Sequence, residues 1–268
     1  MFRGRFKQLA VAMGASALVA AAGLAVVPTV AGAAGTAPTS TTVTAKPLIT
    51  TTGHPLTVSA AVASVEVTSN VPTGTVTFDI TGLHSGTVNC KTSNVVTISH
   101  KGKATCHVLA GQLLAQDSPY SVFVNYSGDS NFATSTGAAS VTVAREATKT
   151  HLKIDSKPHN LTANSVTANV TTRHGGSLLT GEIVFSVSAS PATAKGLRTC
   201  MNGGDVQPIA VTGNVGTASC ELPSGWFVIS KMTQQNKHPH GSWNVTASYS
   251  GDGNFVPSVG TKSGHSKT

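Results

Sequence analysis

The feature that most constrains this chain is an apolar residue at every second position. Leu56, Val58, Ala60 and Val62 alternate with Thr, Ser and Ala, and Val166, Ala168 and Val170 alternate with Thr and Asn. Val76, Phe78 and Ile80 have counterparts in Ile183, Phe185 and Val187. Tyr120, Val122, Val124 and Tyr126 have theirs in Trp243, Val245, Ala247 and Tyr249. Successive strand residues point to opposite faces, so this period gives each strand one face in a core and one in water. A helical period of useful length is absent, and Val108 to Ala115 has room for only a turn or two before Asp117-Ser118-Pro119. Short alternating runs with turn signals every ten residues or so predict an all-β chain folded as antiparallel sandwiches. The composition agrees: 27 Gly and 12 Pro punctuate the runs, and with 40% of residues hydrophobic a disordered tail is excluded.

The runs occur twice. Thr73-Gly74-Thr75-Val76-Thr77-Phe78 returns as Thr180-Gly181-Glu182-Ile183-Val184-Phe185, 107 positions on. Gly102-Lys103-Ala104-Thr105-Cys106 returns as Gly216-Thr217-Ala218-Ser219-Cys220, 114 positions on, and Tyr126-Ser127-Gly128-Asp129-Ser130-Asn131-Phe132 as Tyr249-Ser250-Gly251-Asp252-Gly253-Asn254-Phe255, 123 positions on. The matches keep one order and their offsets only grow, which predicts a duplicated domain with insertions in the second copy. The expected division is repeat 1 at 41–143, a linker at 144–146 and repeat 2 at 147–260, with a flexible leader at 34–40 and a polar tail at 261–268. A join this short, without Gly or Pro, restricts how the two copies turn against each other.

The start of the chain reads as an address. Arg3, Arg5 and Lys7 precede an uncharged apolar run from Leu9 to Val27, then Pro28 and the small residues Ala31-Gly32-Ala33 before Ala34. This is the layout of a secretory signal peptide covering 1–33. The same run also reads as a retained anchor, since a span takes about 20 apolar residues. Cleavage would lower the formal charge from +8 to +5 and leave a secreted protein with no membrane span.

Each repeat holds two cysteines, Cys90 and Cys106 in the first and Cys200 and Cys220 in the second. They lack CxxC spacing, no His recurs beside them in both copies, and an exported chain keeps disulfides. One bridge in each repeat is therefore expected. Asp129 and Asp252 are expected to organise turns made of Tyr126, Gly128, Asp129 and Asn131 and of Tyr249, Gly251, Asp252 and Asn254. Asp and Asn bond nearby backbone, and Gly supplies the turn conformation. A calcium ion is the competing reading of these loops, but calcium takes six to eight oxygens and each loop offers one carboxylate.

The quoted motifs resemble bacterial immunoglobulin-like repeats of secreted and surface proteins, particularly those of actinobacteria. The Tyr-Ser-Gly-Asp-x-Asn-Phe element carries most of the likeness, together with Pro72-Thr73-Gly74-Thr75-Val76-Thr77-Phe78 and Gly102-Lys103-Ala104-Thr105-Cys106. The second copy departs from the first motif with Leu179-Thr180-Gly181-Glu182-Ile183-Val184-Phe185. The resemblance implies two tandem immunoglobulin-like sandwiches used as a spacer, stalk or adhesive module.

Function is therefore expected to be contact without catalysis, at the cell envelope, with an envelope polysaccharide or a surface protein as partner. Acids are scattered singly, which disfavours general acid–base chemistry. Nucleic-acid binding lacks a Lys/Arg cluster with stacking aromatics. No catalytic residue, cofactor or metal site is expected; His238-Pro239-His240 lacks a third ligand. The departure between the copies is an insertion between Cys220 and Trp243 that carries Trp226 and Phe227, the candidate contact residues. They would either plug one end of the sandwich or form the platform of a carbohydrate-binding module, the alternative function.

Overall fold

The structure is a computed structural model that describes residues 36–66, 68, 70–155, 164–190, 199–222 and 242–265. The signal segment, Trp226, Phe227, His238 and His240 lie outside the described residues.

Sixteen strands follow one another among the described residues. They are β1 (Thr39–Lys46), β2 (Ile49–Thr51), β3 (Leu56–Ser64), β4 (Thr75–Thr81), β5 (Val95–Thr97), β6 (Lys103–Val108), β7 (Tyr120–Tyr126) and β8 (Ser135–Ala144), then β9 (Thr148–Asp155), β10 (Asn164–Thr172), β11 (Glu182–Ser190), β12 (Val206–Pro208), β13 (Ala210–Thr212), β14 (Val215–Leu222), β15 (Ser242–Tyr249) and β16 (Ser258–His265). A three-residue 3-10 turn at Ala115–Asp117 is all that the stretch before Pro119 yields.

Up to Ala144 the strands form a sheet ordered β1-β3-β6 and a second ordered β2-β8-β7-β4-β5. All ladders are antiparallel except β2 with β8. The alternating residues face one another between the sheets: Val58, Val76, Ile80, Val122, Val124 and Val141 are fully buried in one cluster with Phe78. From Thr148 on, sheets ordered β13-β14-β10-β9 and β12-β11-β15-β16 enclose a separate cluster that includes Val166, Ala168, Val170, Ile183, Phe185, Val245 and Ala247. Fully burying a Val or Phe side chain contributes about 1.5–3 kcal/mol, so these two sets of inward residues hold the sheets together.

Equivalent polar bonds close the same edge of both units. The hydroxyl of Thr39 donates to the Ala133 carbonyl and to Ser135 Oγ, and Thr41 Oγ1 lies 2.7 Å from the same Ser135 Oγ. In the second unit Thr148 donates to the Val256 carbonyl and to Ser258, and Thr150 Oγ1 lies 2.7 Å from Ser258 Oγ. These Thr side chains stand in for apolar residues where two sheets meet, and the bonds satisfy hydroxyls that burial would otherwise penalise.

Three boundaries differ from the sequence reading. The expected leader is already engaged at Ala37, whose amide donates to the Asn131 carbonyl and whose carbonyl accepts from Ala133. The expected linker is part of the fold: β8 includes Ala144, and Glu146 bridges Phe255 of the second unit. Residues 261–265 of the expected tail belong to β16, which pairs with β15 as far as His265 opposite Ser242; 266–268 lie outside the described residues. In each case backbone hydrogen bonding orders the segment, and it leaves no mark on side-chain hydrophobicity. No helix among the described residues is long and apolar enough to cross a membrane.

Candidate functional site

Both Asp turns are built alike. Asp129 Oδ2 accepts from the amide and hydroxyl of Thr73, at 2.7 and 2.6 Å, and Oδ1 accepts from the amides of Asn131 and Phe132. Asp252 does the same with Thr180, Asn254 and Phe255. Four protein donors thus fill the Asp129 carboxylate, and the Tyr249 hydroxyl makes a fifth on Asp252, an arrangement that fastens one end of each sandwich and leaves these carboxylates poorly suited to calcium. Burial works against ionisation of Asp129, but the bonds from Thr73, Asn131 and Phe132 outweigh it and hold the carboxyl at about 2.

A tyrosine completes each turn. Tyr126 donates to the Thr73 carbonyl at 2.6 Å, and Tyr249 to the Thr180 carbonyl at 2.6 Å. Burial, then the charge of Asp129 or Asp252, pushes each phenol well above its ordinary range. Gly74 and Gly181 sit between these partners at φ of 94° and 97°. A Cβ at either would lie 2.9 Å from the carbonyl oxygen of Gly128 or Gly251, so only glycine fits.

The cysteines form one bridge per unit, Cys90 to Cys106 and Cys200 to Cys220. Each fastens a segment outside the main ladders to a strand. Lys91 donates its amide to the His107 carbonyl beside the first bridge, and Met201 to the Glu221 carbonyl beside the second.

Between the two units the structure assembles a group that sequence reasoning missed. His54 follows β2, Glu146 lies between β8 and β9, and His174 follows β10. His174 Nδ1 is 3.2 Å from Glu146 Oε1, and His54 Nε2 is 4.0 Å from Oε2. The imidazole rings are 3.7 Å apart between centroids, tilted by 48°. Glu146 is buried, and the Thr51 hydroxyl donates to its Oε2. Nearby, the Gln116 amide donates to the Asn254 side chain across the junction at 3.4 Å. No spacing motif signals this group, because each member comes from a different loop.

A shallow, open depression of about 440 Å³ lies at the far end of the first unit, lined by Thr36, Ala37, Glu66, Thr68, Asn70, Asn131 and Phe132. Its one carboxylate has no second acid beside it in that lining, so the depression offers no acid–base pair.

Two antiparallel sheets around an alternating core, with an Asp turn and a stapled strand, define an immunoglobulin-like β-sandwich. Residues 41–144 match the family model of the bacterial Ig-like domain (group 3). No curated protein matches the chain. Among solved structures, the Yersinia pseudotuberculosis adhesin InvE is similar at 14% identity and a TM-score of 0.35, over 85% of this chain and 59% of that one. The D0-D1 domain of intimin is similar at 18% identity and a TM-score of 0.24, over 85% and 97%. A Salmonella alpha-2-macroglobulin reacted with methylamine is similar at 11% identity and a TM-score of 0.32, over 82% and 16%. The chain therefore spans about three-fifths of the InvE structure's length, and nothing those proteins do carries over at such scores.

Proposed function

We propose that the chain is a secreted, non-catalytic pair of immunoglobulin-like sandwiches that serves as a structural or adhesive module at the bacterial envelope. The observation that carries this reading is the junction. Only Arg145, Glu146 and Ala147 separate β8 from β9, and the middle one is hydrogen-bonded into the second unit: its amide donates to the Asn254 carbonyl and its carbonyl accepts from Val256. A connection built this way transmits orientation, which suits a spacer or a presenting arm and serves a single-site enzyme little. The two disulfides fit export to an oxidising compartment.

The partner is an envelope polysaccharide or a surface protein met through loops at the ends of the sandwiches. Incubating the mature chain with isolated envelopes and with insoluble polysaccharides tests this. Retention on envelopes that resists washing supports the reading, and no retention on either material contradicts the adhesive half of it. Turnover of any substrate in a hydrolase panel would contradict its non-catalytic half.

A further inference from the structure

We propose that His54, Glu146 and His174 bind one divalent transition-metal ion of the zinc type at the junction between the two units. The three donor groups lie within 4.8 Å of one another. Tetrahedral zinc with bonds of 2.0–2.2 Å places its ligand atoms roughly 3.4 Å apart. The His174–Glu146 pair at 3.2 Å already meets that spacing; His54 lies 4.0 Å from the carboxylate, and with all three ligand atoms within 4.8 Å of one another, closing on an ion takes a movement of at most roughly 1.4 Å. His54 is the freest of the three, with 37% of its side chain exposed, against 29% for His174 and 10% for Glu146.

The donor set selects the metal. Two imidazoles and one carboxylate suit zinc, nickel or copper, whereas calcium and magnesium demand oxygens the site does not offer. Three protein ligands leave the fourth position to water. One outer contact holds a ligand group, the Thr51 hydroxyl that donates to the Glu146 carboxylate; the Thr172 hydroxyl on the His174 carbonyl and the His54 amide on the Thr51 carbonyl fix the backbone of the two histidine loops.

The consequence is a clamp. His54 belongs to the first unit and His174 to the second, and close backbone approach of Gly53 to Gly175 already brings their loops together. A metal bound there adds cross-links between the units at the point where they touch. This clamping role rests on the reading of the junction as a fixed connection; the binding itself does not.

Calorimetric titration of untagged mature protein with zinc chloride at pH 7 tests the binding, with Co²⁺ as a spectroscopic probe. We expect one tight site per chain and a visible Co²⁺ band of tetrahedral type. His54→Ala, Glu146→Gln and His174→Ala should each weaken zinc by at least the roughly 10–100-fold that loss of an outer contact costs, and abolish the band. His84→Ala and His151→Ala should leave both unchanged. His54 is the most exposed of the three ligands, so its variant remains informative if Glu146→Gln folds poorly. Absence of a tight site, or a tight site that survives the triple substitution, overturns the proposal. If zinc binds as expected but the two units reorient freely with metal bound, the fixed-junction reading fails and the site stands.

Discussion

Four donors on one side chain make Asp129 the residue whose loss the first unit should feel most at its loop end. Hydrogen bonds to charged groups are worth about 1.5–3 kcal/mol each when sheltered, and partial exposure here cuts that sharply. Asp129→Ala should lower stability by about 1–2 kcal/mol in urea unfolding, without changing the slope of the transition. The pH dependence follows from the direction of the shift. Because the folded-state value is lowered from 3.8 to about 2, this group's stabilisation is complete above pH 4 and disappears as the pH falls towards 2. Acid unfolding of the native chain should therefore be shallower in Asp129→Ala over that window, and identical curves would contradict the assignment. The tyrosines act at the other extreme. Their raised values mean that stability present below pH 10 is lost as the pH rises beyond it. Tyr126→Phe and Tyr249→Phe should flatten that alkaline loss while costing about 1 kcal/mol each at neutral pH.

At the scale of elements, the staples and the core strands are separable. Replacing Cys90 and Cys106 together by Ser opens a 16-residue separation and should cost about 2–4 kcal/mol; the equivalent pair in the second unit should cost a similar amount. Phe78→Ala or Phe185→Ala should cost about 3–5 kcal/mol, each destabilising the unit whose core it lines. Thermal unfolding followed by near-ultraviolet circular dichroism reads both sets. The core strands were legible because burying one face imposes a period of two on β3, β4, β7, β10, β11 and β15. The duplicated Asp turn was legible because its chemistry is local. β2 was not: three residues carry no period, and its parallel pairing with β8 is decided by where the chain crosses between sheets. The outer half of β16 was not, because Thr261, Lys262 and Ser263 are exposed on an edge strand held by its backbone. His54, Glu146 and His174 meet through the packing of two units, which no single-chain spacing encodes.

At the scale of the whole molecule, the proposed function requires the two sandwiches to keep one relative orientation. Gln116 to Asn254, Glu146 to Phe255 and Gly53 to Gly175 all cross the same junction. Interfaces between units of one chain often permit motion unless they are extensive, so the short connection and these contacts are what must hold. Residual dipolar couplings measured on the chain in a dilute alignment medium test this directly. Amides of 41–144 and those of the described strands from Thr148 on should report the same alignment tensor in magnitude and direction. Two different tensors would show the units reorienting independently and would contradict it.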